Sequence, residues 1–148
     1  MSTRTKTSIL YRIGTELEKE APVTGYIEAG GTLLFSGDII PTSFSSYNSD
    51  LTSLSIGCGV TTIGDYAFQG CTNLVGTLDV RSTVTYIGES AFADCVFSRI
   101  NFYGSTPPSV GSSPFGLSNY GAEVHCPVGL QALYQTAFGY FPTFIDDL

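Results

Sequence analysis

The chain has 148 residues, of which 43% are hydrophobic and 13% charged, and its formal net charge is −7. This length supports one domain, or one domain with an arm, and the composition supplies enough apolar side chains for a buried core. Six Lys and Arg residues against thirteen Asp and Glu residues argue against a basic surface for phosphate backbones, so we expect no nucleic-acid partner.

The charges divide the chain into two parts. Residues 1–20 carry four basic and three acidic side chains, a balance of +1, whereas the rest of the chain carries two basic and ten acidic side chains, a balance of −8. This difference predicts an N-terminal arm with a connecting segment over residues 1–50 and a body over residues 51–148. Because we find no leader pattern and no run of 18 apolar residues, we expect neither Sec-type export nor membrane insertion.

The arm begins with apolar side chains at helical spacing, which predict a short amphipathic helix over residues 7–19. An apolar stretch follows and ends in Asp38-Ile39-Ile40. In this order the segment resembles the N-terminal anchoring segment of phage fibre and appendage proteins, which implies attachment to a virion and a homotrimer. The residues that we expect to anchor the arm are Ile9, Leu10, Ile13 and Leu17.

An internal repeat occupies the body. Residues 60–71 read VTTIGDYAFQGC and residues 84–95 read VTYIGESAFADC, so seven of twelve positions are identical at a constant spacing. A degraded third copy, SVGSSPFGL, places Val110 and Phe115 where a further unit of nearly the same length would have them. A period of about 20 to 29 residues fits one strand and one return segment per coil, which predicts a mainly β solenoid.

Each copy has a corner followed by a turn. Gly64 and Gly88 each follow an Ile and indicate a sharp corner in a backbone conformation that other residues resist. Asp65 and Glu89 come next, and a carboxylate favours the N-terminal end of a short helical turn. The predicted coil is therefore one strand plus one short helical turn.

The apolar residues of the copies predict the core. Phe68, Phe92 and Phe115 recur at the same place in each copy, so we expect their rings to stack between coils. The stretches 54–56 and 78–80 alternate between apolar and polar residues, as strands do, and are the candidate ladder strands.

The units resemble the BspA-type leucine-rich repeat, in which a strand leads to Val-x-x-Ile-Gly-x-x-Ala-Phe-x-x-Cys and a Leu three residues later. Leu74 fits that last place and Ser98 departs from it. The segment VHCPVGLQALYQTAF resembles the close of such arrays, with a strand at Val124, a Pro-Gly turn and a short capping helix over residues 130–138. The resemblance covers residues 51–142 and implies a non-enzymatic recognition or display module.

Candidate residues for catalysis or metal binding are few. His125, the only histidine, adjoins Cys126, but neighbours on a strand point to opposite faces, so we expect a structural or surface role for the imidazole. Asp65 and Glu89 have two other interpretations besides turn capping, an acid–base pair or ligands of a hard cation. No phosphate loop, dinucleotide fingerprint or Cys-x-x-Cys pair is found, so the sequence predicts no enzyme, no cofactor and no metal site.

The four cysteines are predicted to be buried free thiols. Cys71 and Cys95 would stack near the strand separation of about 4.8 Å, where parallel Cβ directions suit a disulfide poorly. Small apolar thiols that fill the core are the expected alternative, for these two and for Cys58 and Cys126.

A set of aromatic residues lacks a repeated core position. Exposed aromatic rings on a surface of low charge form contact sites for glycans or proteins, but they also cover the ends of a thin solenoid or a subunit interface. Both interpretations stay open for these residues, which are Tyr66, Tyr86, Phe102, Tyr103 and Tyr120.

The first functional hypothesis is a non-enzymatic phage virion fibre or decoration protein. Its arm would bind other virion proteins and further copies of the chain, and its repeat head would bind a host-surface protein or glycan. The second hypothesis is a bacterial cell-surface BspA-like adhesin, or a stand-alone protein-binding repeat module. The corresponding locations are the virion and the bacterial cell surface.

Overall fold

The computed structural model describes residues 25–28, 32–35, 39–40 and 51–148. The predicted arm helix lies outside these ranges. The first described elements are strand β1 at Gly25–Glu28 and strand β2 at Thr32–Phe35, which form an antiparallel hairpin, and the two-residue strand β3 at Ile39–Ile40.

The longer strands build two parallel ladders. β6 at Val75–Val80, β8 at Val96–Phe102, β10 at Glu123–Cys126 and β11 at Thr143–Asp146 form a four-stranded sheet in the spatial order β6-β8-β10-β11. β4 at Ser53–Ile56 pairs in parallel with β2 in a three-stranded sheet that also contains β1. Parallel strands that follow one another along the chain are the product of stacked coils.

A further parallel sheet consists of two-residue strands. β5 at Thr62–Ile63, β7 at Tyr86–Ile87 and β9 at Ser109–Val110 join β3 in the order β3-β5-β7-β9. Ile63 of β5 pairs with Ile87 of β7, and Ile87 pairs with Val110 of β9. The register of the sheet therefore reproduces the spacing of the repeat in the sequence. The prediction of a repeat-rich, mainly β fold is confirmed.

The segment after each short strand is not the helical turn that the sequence predicts. In the segment from residue 66 to residue 71, every second N–H group bonds to a carbonyl three residues back, and the N–H groups between them reach the next coil. The donors to the next coil are Tyr66, Phe68 and Gly70, and the acceptors are the carbonyls of Glu89, Ala91 and Ala93, at 2.7, 2.7 and 2.9 Å. A helix uses its N–H groups internally. The segment forms successive turns instead, because turns leave alternate N–H groups available for hydrogen bonds to carbonyls of the next coil.

The corner requires glycine for a different reason from the predicted one. Gly64 and Gly88 do not have a positive φ, and the left-handed conformation falls two residues later, on Tyr66 at 57° and Ser90 at 49°. What requires glycine at position 88 is space, because a Cβ there would lie 2.5 Å from Asp65 Oδ1 in the preceding coil. The corner therefore marks a close approach between coils.

The predicted aromatic stack is confirmed. Phe68 and Phe92 have ring centroids 5.3 Å apart and planes within 10°, and Phe92 and Phe115 have centroids 5.6 Å apart and planes within 7°. All three rings are buried in one continuous core. Equivalent rings in successive coils therefore form a single file through the array.

The departure of Ser98 from the repeat has a structural cause. The register between β6 and β8 shifts after Gly76, which pairs with Phe97, so that Ser98 is an extra residue in β8. Its hydroxyl donates to the Gly76 carbonyl at 3.1 Å. Phe97 is buried and packs edge-on against Phe92, with centroids 5.8 Å apart. Because of this bulge, the buried apolar residue is Phe97, one residue before the position at which the repeat has its Leu.

The C-terminal end of the array is closed by helix α1 at Gln131–Ala137, within the range that the sequence predicts. Tyr134 and the following Phe138 are buried, and Tyr134 Oη donates to the Gly104 carbonyl at 2.9 Å. Burial raises the pKa of Tyr134 to about 12. Strand β11 follows the helix and pairs with β10, which the sequence does not predict.

The division of the chain at residue 50 stays a prediction, although two strand pairings cross it. β2 and β3 precede residue 50, and they pair with β4 and β5, which follow it. Within the ranges that the structure describes, no helix is long and apolar enough to cross a bilayer.

Candidate functional site

The outer face of the β6-β8-β10-β11 sheet carries a row of polar side chains. Asp79 pairs in register with Asn101, and Asn101 with His125. Each of the three follows an apolar residue whose side chain is in the core, namely Leu78, Ile100 and Val124. Because side chains alternate along a strand, the polar ones lie on the opposite, outer face.

Hydrogen bonds connect this row to its neighbours. Asn101 Nδ2 donates to Asp79 Oδ1 at 2.8 Å, and Arg99 Nε donates to Asn101 Oδ1 at 2.8 Å. Tyr103 Oη donates to the same Asp79 oxygen at 3.1 Å. Burial, and then this bond to a carboxylate, raises the pKa of Tyr103. Four side chains from two strands are thus held in one arrangement.

His125 continues the network towards the C-terminus. The residue is 2% exposed, and its Nδ1 lies 2.6 Å from Asp147 Oδ1 and 3.0 Å from Arg99 Nη2. Its Nε2 lies 3.5 Å from Glu123 Oε2. The hydrogen bond from His125 lowers the pKa of Asp147, with smaller contributions from the charges of His125 and Arg99, although partial desolvation acts in the other direction.

The neighbouring cysteine takes no part in this network. The Cys126 side chain belongs to the core cluster, whereas His125 lies on the outer face, as strand alternation predicts. Burial raises the pKa of the Cys126 thiol, which favours the unreactive protonated form. The pair is not arranged as a nucleophile and its base.

The two repeated carboxylates bridge coils. The Asp65 carboxylate accepts a hydrogen bond from the Glu89 backbone N–H at 2.9 Å, and the Glu89 carboxylate accepts one from Tyr66 Oη at 2.5 Å. Asp65 therefore caps a backbone group of the next coil, and the predicted capping of its own turn is wrong. Among the residues that the structure describes, no group of three or more potential metal ligands occurs.

The cysteines are free, and three of the four are buried, as predicted. Burial raises the pKa of Cys71 to about 11 and also raises that of Cys95. Cys95 Sγ lies 3.4 Å from the Phe68 carbonyl oxygen, to which the thiol donates. Cys58 is the exception, because it is exposed in the loop after β4. The prediction of burial is wrong for this one thiol.

The five predicted contact aromatics occupy different environments. Tyr66, Tyr86 and Tyr103 are exposed, the last at 41%. Phe102 is 1% exposed and stacks on Phe138 at 4.9 Å, so its placement on a contact surface is wrong: it ends β8 on the inner face. Tyr120 is half-buried, with its ring 5.4 Å from that of Tyr140. The structure therefore does not gather the five into one patch.

The arm residues expected to serve as anchors lie outside the described residues. These are Ile9, Leu10, Ile13 and Leu17. Their role stays a prediction.

Sequence reasoning missed most of the polar network. Asp79, Asn101 and His125 each come one residue after a core position of a strand, and this shared offset is the signal that indicates a common outer face. Arg99 and Asp147 have no equivalents in the other copies. Only the folded chain brings them to His125.

Comparison with family models gives one match. The model of the BspA type leucine-rich repeat region, which by its description spans six copies, matches residues 38–144, and these contain every strand from β3 to β10. The chain belongs to this family. The match begins earlier than the predicted repeat range of residues 51–142 and ends two residues later.

Comparison with curated proteins and with solved structures gives no significant match. BspA-type repeats are generally non-enzymatic modules for protein binding or adhesion, and they are often surface-associated or extracellular. At this level the predictions of a recognition role and of protein partners agree with the family.

Proposed function

We propose that this BspA-type chain is a non-enzymatic recognition module that binds a protein partner through the outer face of the β6-β8-β10-β11 sheet. The observation that supports this function is the hydrogen-bonded network of Asp79, Arg99, Asn101 and Tyr103 on that face. Side chains that are already ordered lose little conformational entropy when a partner binds. A fixed polar face is therefore a suitable recognition surface.

Two members of the network supply the contact groups. The Arg99 side chain is 38% exposed, and Tyr103 directly follows β8 and is 41% exposed. Arg and Tyr are the residue types that most often dominate the binding energy of protein interfaces, because each combines a large contact area with directed hydrogen bonds. Here both are positioned by Asp79 and Asn101.

The test compares two substitutions of the same kind on different faces. Thr77 is exposed on β6 and pairs with Arg99, whereas Thr85 is exposed just before β7 in the sheet of short strands. Peptides are selected from a random display library on the wild-type chain, and their affinities for Thr77→Lys and Thr85→Lys are measured by calorimetry. We expect Thr77→Lys to weaken binding at least about tenfold because a long charged side chain obstructs the face.

Thr85→Lys is the matched control and should bind the peptides as the wild type does. Equal binding by all three proteins would overturn the assignment of this face. Binding to a glycan array, with no peptide selected, would overturn the assignment of a protein partner. The same variants would then be compared on the glycans.

The finer assignment that we propose is a fibre or decoration protein of a phage virion. It rests on the order of features in residues 5–40, which resembles the anchoring segment of such proteins. A bacterial cell-surface adhesin or a stand-alone binding module is the alternative. The same outer face would serve in each case. Tyr66, Tyr86 and Tyr120 lie outside this face, and their contact roles stay a separate prediction.

The proposed trimer is tested by light scattering on the full chain. We expect a mass three times 15.7 kDa for the wild type and a smaller mass when Ile9, Leu10, Ile13 and Leu17 are replaced by Ser. Substitution of Leu117, which is 80% exposed in the repeat domain, by Ser is the control. A monodisperse wild-type monomer would contradict a trimer that forms by itself.

A further inference from the structure

One nitrogen of the His125 ring has no hydrogen-bond partner. The residue is 2% exposed, and its Nε2 is buried and bonds to no described residue. A buried polar atom loses its hydration without compensation when it stays unsatisfied, so nearly all such atoms in folded proteins bind a protein group, a water or an ion. The surroundings of Nε2 therefore indicate what it binds.

The Nδ1 side of the ring determines the state of Nε2. Asp147 Oδ1 lies 2.6 Å from Nδ1, and an ionised carboxylate only accepts hydrogen bonds, so this contact places a proton on Nδ1. Arg99 Nη2 lies 3.0 Å from the same nitrogen, but it is also 3.8 Å from Asp147 Oδ2 and pairs with that carboxylate. In a neutral ring with its proton on Nδ1, Nε2 carries a lone pair.

A second carboxylate faces this lone pair. Glu123 and His125 are alternate residues of β10, so their side chains lie on the same outer face of the sheet. Glu123 Oε2 is 3.5 Å from His125 Nε2. Two groups that only accept hydrogen bonds repel each other at this distance, and either a proton or a metal cation between them removes the repulsion.

The distance between the two atoms favours a metal cation. A charge-assisted hydrogen bond between nitrogen and a carboxylate oxygen is about 2.7 to 2.9 Å long, which is well below the observed 3.5 Å. A tetrahedral zinc ion holds nitrogen and oxygen ligands at about 2.0 to 2.2 Å each, which places the two ligand atoms about 3.4 Å apart. The spacing of Nε2 and Oε2 thus matches two ligands of one ion.

The contact on the far side of the ring has the arrangement that is common in metal sites. A histidine that binds a metal usually donates its other ring N–H to a carboxylate, which fixes the tautomer and the orientation of the ring. Asp147 accepts from Nδ1 in this way. The Glu123 side chain is 55% exposed, so a cation reaches the carboxylate from solvent.

We propose that His125 Nε2 and the Glu123 carboxylate bind a zinc ion on the outer face of the β6-β8-β10-β11 sheet, with Asp147 as the positioning residue. No group of three or more potential ligands occurs among the described residues, so water fills the other two positions of a tetrahedral ion. Such a site binds more weakly than a structural zinc site with four protein ligands. It does not depend on which partner the outer face binds.

The test is calorimetry of the full chain with zinc chloride, together with NMR of the ring nitrogens of its single histidine. We expect one zinc ion per chain and a shift of the Nε2 signal on binding, while Nδ1 keeps its proton. Magnesium chloride should cause neither effect, because Mg²⁺ prefers oxygen ligands. Absence of zinc binding, or a shift of Nδ1 in place of Nε2, would overturn the proposal.

Five variants locate the site. His125→Gln and Glu123→Gln each remove one ligand, and Asp147→Ala removes the group that orients the ring, so each should weaken zinc binding at least about tenfold. Asp94→Asn, which removes an exposed carboxylate from the turn before β8, and Cys58→Ser, which removes the exposed thiol, should bind zinc as the wild type does.

Thermal unfolding without metal checks that each variant is folded. Because the Glu123 side chain is more than half exposed, Glu123→Gln keeps the fold and tests the site even if His125→Gln does not fold. Zinc binding that is unchanged in Glu123→Gln, or that is lost in Cys58→Ser, would contradict the assignment of these ligands.

Discussion

The middle coils and the C-terminal end of this array are stabilised by different kinds of contact. In the middle, backbone N–H groups of one coil donate to carbonyls of the next, and equivalent phenylalanine rings stack at 5.3 and 5.6 Å. At the end, the contacts come from unlike side chains, such as Tyr134 on the Gly104 carbonyl and His125 on Asp147. Repetition is possible only where each coil has an equivalent neighbour on both sides.

The aromatic residues show the same difference. In the middle coils the rings are nearly parallel and occupy one position per coil. At the end, rings from β8, α1 and the loop after α1 meet at varied angles, and these are Phe102, Tyr134, Phe138 and Phe141. The last coil has an open apolar face, and large rings from non-equivalent positions cover it. The end is therefore a cap built from unique contacts.

The largest expected effect tests the repeated core. Phe92→Ala removes the ring that stacks on both Phe68 and Phe115, and we expect the free energy of unfolding to fall by about 3 to 5 kcal/mol. Urea denaturation measures it. Leu117→Ala removes an exposed side chain near the end and should change stability by less than about 0.5 kcal/mol. A loss of less than about 1 kcal/mol for Phe92→Ala would contradict the role of the stack.

A smaller effect is expected from two identical substitutions of glycine. Gly88→Ala places a Cβ 2.4 Å from the Asp65 backbone nitrogen between two middle coils, and overpacking of this kind costs about 1 to 3 kcal/mol. Gly121→Ala, just before β10, meets no atom within 4 Å. Its effect should stay within about 0.5 kcal/mol. Equal losses of thermal stability in the two variants would show that close approach does not distinguish the middle coils from the end.

The repeat explains which parts of the fold the sequence predicts. Phe68, Phe92 and the short strands recur at a constant spacing, and a recurring apolar residue in stacked coils has only the core as its common environment. The helical turn was predicted wrongly because its N–H groups bond to another coil, as Tyr66 does to the carbonyl of Glu89 in the following copy. The sequence pattern of a single copy does not include this acceptor, because the acceptor belongs to another copy.

The candidate site was less predictable, and its residues show why. Tyr103 was predicted to be exposed because it lacks a core position, but Phe102 was included on the same ground and is buried. The extra residue at Ser98 shifts the alternation of β8 beside Gly76, and the repeat pattern by itself does not predict this bulge. Arg99 and Asp147 meet at His125 only because β8 and β11 both flank β10.

The sequence by itself determined the coil length, the aromatic file and the family, because these follow from residues that repeat at a fixed period and so experience the same surroundings in every coil. The tertiary structure alone decided the hydrogen bonds between turns, the close approach at Gly88 and the network around His125. Each of these depends on groups from different coils or strands, whose distances are set by stacking and register rather than by local preference.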